Sequence, residues 1–90
     1  MIIHIREMLS TSFARFFHEN VMDVIRKRAQ MVAVQYSDPG VAQFCTRWGD
    51  NMYKEGTKIA DKKEFDVFYH AVEEDIAALE RQAKIRKMFE

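Results

Sequence analysis

The sequence has little with which to interrupt a helix. One proline and three glycines stand among ninety residues, too few for the closely spaced turns of a β-rich fold or for a flexible linker. A single cysteine, Cys45, excludes an intramolecular disulfide and a cysteine-based zinc site. No apolar run approaches the roughly 20 residues that cross a bilayer. At the start, MIIHIRE places Arg6 and Glu7 where a signal peptide would continue its apolar core. The expected location is therefore cytoplasmic, with no membrane partner. Net charge is zero, which removes the broad basic footprint of a nucleic-acid-binding domain. Glycine-rich phosphate loops, GxSxG elbows, HExxH and paired-cysteine spacings are all missing, so no enzymatic function, cofactor or metal is expected.

Ninety residues make one domain, spanning 1–90. A chain of this size buries only about 60% of the surface its unfolded form exposes, so its stability is marginal without help, and self-association is one form of help. Apolar residues follow the helical period throughout. The expected fold is all-α: a small bundle of three to four helices with a long C-terminal helix, dimeric through that helix.

The first helix is expected from about Ser12 to Gln35. Phe13, Phe17, Val21, Val24, Ile25 and Val32 share one face, with Phe16 at its edge, and Arg15, Glu19, Asp23 and Arg26 share the other. Residues 1–9 either extend this helix backwards or form a separate turn interrupted by Ser10-Thr11-Ser12. Asp38 caps the second helix and Pro39 suits its first position, where the missing N–H costs nothing. That helix runs to about Glu55, with Gly56 as its terminal glycine. Its stripe is Val41, Phe44, Cys45, Trp48 and Met52, and Gly49 within the helix permits close approach of a neighbour. Asp61 to Glu64 reads as a capping box for the third helix. Phe65, Phe68, Val72, Ile76, Leu79 and Ala83 form its main seam, and Val67, Ala71, Ala78, Ile85 and Phe89 form a second ridge. A helix with two apolar ridges needs two neighbours, and a second copy of the chain can supply one.

Charge is unevenly placed along the third helix. From Glu64 to Glu80 there are six acidic side chains and no lysine or arginine, whereas Arg81 to Lys87 holds four basic ones. This polarity suits the dipole of a single helix.

Four constellations deserve weighing for function. Cys45, in mid-stripe, is read as a core thiol rather than a nucleophile. His70 with Glu73 and Glu74 has metal-ligand spacing, completed only if His18 and Glu19 lie nearby; solvated surface groups are the favoured reading. Arg28 falls inside the first helix's apolar face, either snorkelling to water, the favoured reading, or paired with a third-helix carboxylate such as Asp75 or Glu80. YSDPGVAQFCTRWGD, residues 36 to 50, could be a helix-turn-helix presenting Gln43, Arg47 and Asn51 to base edges, with Arg26 to Arg28 on phosphates. Asp38 and Asp50 would then face DNA, so the boundary of a core-packing helix is preferred and nucleic acid is not the favoured partner.

Ile2, Ile3, Met22, Tyr53, Met88 and Phe89 stand outside the expected core stripes and are candidate contact points, because methionine, aromatic and aliphatic side chains concentrate at interfaces. The expected function is that of a small accessory protein: a non-enzymatic regulator or adaptor, a homodimer, that binds another protein. The surface expected to carry it comprises Arg28, Val67, Ala71, Ala78, Ile85, Met88 and Phe89. A dimeric helix-turn-helix regulator reading DNA through Gln43, Arg47 and Asn51 is the alternative.

Overall fold

Three helices account for the fold of the computed structural model, which describes the backbone of residues 2–89 and the side chains of residues 16–89. They are α1 (Ile2–Ala33), α2 (Pro39–Lys58) and α3 (Lys62–Met88). There is no strand among the described residues.

α1 begins well before Ser12 and passes through Ser10-Thr11-Ser12 without a break. Serine and threonine can return a side-chain hydrogen bond to the preceding turn of a helix, so they do not stop one in the way glycine or proline does. Two tightened turns close α1, with Gln35 N–H bonding to the Val32 carbonyl and Tyr36 N–H to that of Ala33. The Asp38 carboxylate then accepts from the N–H groups of Gly40 and Val41, and Pro39 follows it as expected. Asp61 likewise accepts from the Glu64 N–H at 3.0 Å and starts α3.

α2 lies against α1 as an antiparallel hairpin. Gly56 meets Met22 and Gly49 meets Ala29, so a step of seven residues up α1 matches seven back along α2. The glycines set this spacing. A Cβ at Gly49 would stand 2.7 Å from the Ala29 Cβ, and one at Gly56 would stand 2.7 Å from Met22 Cγ. Gly56 is thus a packing glycine inside the helix rather than its terminator. α2 continues to Lys58, and Ile59 ends it in extended conformation, with no glycine at positive φ.

α3 runs parallel to α1. Phe65 stacks on His18, Glu80 meets Arg28, and Arg86 lies over the ring of Tyr36 just past the end of α1, in the same order along both segments. The long helices make the molecule slender, 62 × 18 × 13 Å, with a radius of gyration of 16.3 Å. A compact domain of this length would measure about 12 Å.

The core comprises Met22, Ile25, Ala29, Val32, Cys45, Phe65, Val72 and Ile76, with smaller contributions from Ala33 and Ala83. Each large apolar side chain buried here contributes roughly 1.5–3 kcal/mol. The α3 seam is as the spacing predicts: Phe65, Val72, Ile76 and Ala83 are buried and Phe68 and Leu79 half-buried. The buried face of α1 differs. It runs His18, Met22, Ile25, Ala29 and Val32, while Phe16, Phe17 and Val24 are more than half exposed. Met22, expected as a surface contact, is completely buried because it fills the space above Gly56. Phe44 is likewise 61% exposed, and α2 buries Gly49 and Gly56 on the face it turns to α1. Phe13, Ile2 and Ile3 lie outside the described side chains.

Candidate functional site

Among the described residues the second ridge of α3 is left largely uncovered. Val67 is 72% exposed, Ile85 50% and Phe89 86%; Ala71 is exposed and Ala78 half-exposed. All five lie on the side of α3 away from the buried Phe65–Val72–Ile76–Ala83 seam, as steps of about 100° per residue require. Met88, also exposed, stands beside Phe89 at the helix end. α1 carries a further ridge, Phe17, Val24 and Met31, seven residues apart and all more than half exposed; the sequence spacing assigns Phe17 and Val24 to the core. Each ridge lies on one uninterrupted helix.

Arg28 lies between Val24 and Met31 on that α1 face. Its guanidinium makes two hydrogen bonds to Glu80, Nη2 to Oε1 at 2.6 Å and Nε to Oε2 at 3.1 Å. The pairing reading is therefore the correct one, with Glu80 rather than Asp75, and snorkelling is set aside. The hydrogen bonds from Arg28 hold the Glu80 carboxyl below its ordinary value, and Glu80 in turn raises the guanidinium. The pair is about one-third exposed on each side, so it clasps α3 to α1 while remaining in contact with solvent. On the opposite flank of α1, Asp23 binds both Arg26 and Lys27, which lowers its carboxyl. Arg26 also lies 4.2 Å above the Tyr53 ring, which half-buries Tyr53 instead of leaving it as a contact point.

Gln43, Arg47 and Asn51 share the outer face of α2. With Gly40, Phe44 and Trp48 they line a shallow groove of about 330 Å³. The structure thus brings the three candidate base-reading side chains together. It does not give them the expected setting: a helix-turn-helix crosses its two helices steeply, whereas α2 runs back along α1, meeting it at Gly49–Ala29 and again two turns on at Gly56–Met22. Arg26 and Lys27 are occupied by Asp23, and Arg28 by Glu80.

The buried chemical groups are committed to the fold. His18, only 4% exposed, donates from Nδ1 to the Ile59 carbonyl at 3.1 Å and stacks on Phe65 with ring centroids 3.6 Å apart. This contact pins the α2–α3 connection to α1. A histidine on the face of core residues, four before Met22, is the one sequence signal that could have revealed it. His18 is buried, whereas His70 and Glu74 are exposed. No group of three metal-ligating side chains occurs among the described residues. Cys45 is buried, and burial pushes its thiol up, away from the nucleophilic thiolate. Among the described residues no helix is long and apolar enough to cross a membrane.

Comparison with protein-family models, with curated proteins and with solved structures finds no match.

Proposed function

We propose that this chain is a small, non-enzymatic regulatory or adaptor protein of the cytoplasm that acts as a homodimer and binds another protein through its helical surface. The observation that carries this reading is the pair of exposed apolar ridges, Val67–Ala71–Ala78–Ile85–Phe89 on α3 and Phe17–Val24–Met31 on α1. A slender three-helix domain that leaves such side chains in water gains by covering them, and contiguous apolar patches of this kind mark protein contacts. Charged groups flank both ridges, the mixed composition expected of a contact rim. The commitment of His18 and Cys45 to packing supports a role without catalysis.

The test is capture from a nuclease-treated lysate of the native source, run in parallel with the variant Val24→Glu/Met31→Glu. A stoichiometric protein bound by the natural chain and lost with the variant is the expected result. The alternative, DNA binding, draws its support from the convergence of Gln43, Arg47 and Asn51 around one groove. It requires affinity for duplex DNA that falls steeply with salt and disappears with Arg47→Ala. That outcome would replace the adaptor reading.

A further inference from the structure

The exposed ridge of α3 is symmetric about one residue. Ala71 and Ile85 each lie seven residues from Ala78, and Val67 and Phe89 each lie eleven. Seven and eleven residues are close to two and three helical turns, which is why all five share a face. A second α3 laid antiparallel therefore sets Ala78 against its own copy, Ala71 against Ile85, and Val67 against Phe89. Each outer pair then joins a smaller side chain to a larger one, the arrangement that lets facing helices interdigitate. Ala78 at the centre allows close approach.

The flanking charges have the same symmetry. Glu74 and Arg81 lie on one side of the ridge, both are exposed, and neither makes an ion pair within the chain among the described residues. They stand almost equally far from Ala78, four residues before it and three after. In the antiparallel arrangement Glu74 of each copy faces Arg81 of the other, giving two equivalent pairs. The whole helix repeats the pattern on a larger scale, with six acids from Glu64 to Glu80 and four bases from Arg81 to Lys87. Parallel pairing would set acid against acid and base against base, which is unfavourable.

We propose that the α3 ridge is occupied by α3 of a second copy, antiparallel, with the two-fold axis at Ala78 and Glu74–Arg81 pairs on either side of it. This deepens the reading above and rests on it only in taking the α3 ridge as a contact surface. It leaves the α1 ridge for the second protein.

The experiment uses the full chain and charge reversal. Sedimentation equilibrium is expected to show a dimer for the natural chain. Glu74→Arg and Arg81→Glu, each placing like charges together twice, are expected to weaken it about tenfold or more. The combined Glu74→Arg/Arg81→Glu variant is expected to restore it. Circular dichroism on these exposed-site variants verifies the fold. The register is read by crosslinking in a Cys45→Ala background: an equimolar mixture of Ala71→Cys and Ile85→Cys chains is expected to give mixed disulfide dimers in preference to either like pair. A monomer at all accessible concentrations overturns the proposal, as does a dimer indifferent to both single reversals or one crosslinked mainly through like pairs. A monomer that still captures a second protein, lost on Val24→Glu/Met31→Glu, overturns the self-pairing and leaves the adaptor reading standing.

Discussion

α1 is joined to its two neighbours by different means. Against α2 it has backbone-close packing, with Gly49 and Gly56 admitting Ala29 and Met22 so tightly that neither glycine has room for a methyl group. Against α3 it has side-chain clasps at three levels: His18 on Phe65, Arg28 with Glu80, and Tyr36 beneath Arg86. The first kind of contact fixes register by shape and resists salt and pH. The second reaches across a wider gap and depends partly on charge. Hairpin and third helix should consequently respond to different perturbations.

Gly49→Ala is the strongest way to break the hairpin. The added methyl meets the Ala29 Cβ, which cannot rotate away, so the helices must separate. Overpacking of this kind costs roughly 2–3 kcal/mol, less about 1 kcal/mol regained in helix propensity. A net loss of about 1–2 kcal/mol in urea unfolding is expected, with recovery on adding Ala29→Gly. Gly56→Ala presses instead on Met22, whose flexible side chain can rearrange, and a loss of about 0.5 kcal/mol is expected. If the two variants are equally destabilised, the difference between a rigid and a yielding neighbour is not what governs this interface.

The α3 clasp is probed by Arg28→Met, which leaves Glu80 without its partner. A loss of about 1 kcal/mol is expected, and a double-mutant cycle with Glu80→Gln should return a coupling of about 0.5–1 kcal/mol, since the pair is partly exposed. No change in the Arg28→Met variant would mean that α3 is held by Phe65, Val72 and Ile76 alone.

The smallest effect is that of pH. Glu80 has a folded-state pKa below its unfolded value of about 4.5. The stability it contributes is therefore complete above that value and is lost as pH falls through the folded pKa. Natural chain and Glu80→Gln should differ in stability at neutral pH and converge as pH falls through the lowered carboxyl of Glu80, as followed by thermal unfolding. A constant difference across that range would exclude the pair as the cause.

The same contrast explains what could be read from the sequence. Starts of α2 and α3 were legible because Asp38 with Pro39, and Asp61 with Glu64, act through bonds to neighbouring residues. The α3 seam was legible too, since its bulky side chains are the ones that pack. α1 was misphased by somewhat less than one residue step of about 100°. Phe17 and Val24 outweigh Ala29 in any count of apolar bulk, yet α2's glycines select small Ala29 and flexible Met22 as the residues that fit. That choice depends on a surface 20 to 34 residues away along the chain (Ala29 to Gly49 and Met22 to Gly56 respectively), and periodicity within one helix does not contain it. Of the candidate surface, the α3 ridge followed from spacing alone. The α1 ridge did not, because two of its three side chains, Phe17 and Val24, belong by spacing to the expected core face.

The sealed thiol of Cys45 has a practical consequence. It sits in the α1–α2 contact at 1% exposure, so a soluble thiol reagent reaches it only while that contact is open. The chain thereby contains one chemical stopwatch, already installed in its most tightly packed region. At low reagent the labelling rate reports how often the open form is populated, and at high reagent it reports how fast the closed form yields. Because there is a single cysteine, every modified molecule records an event that uncovers this one position.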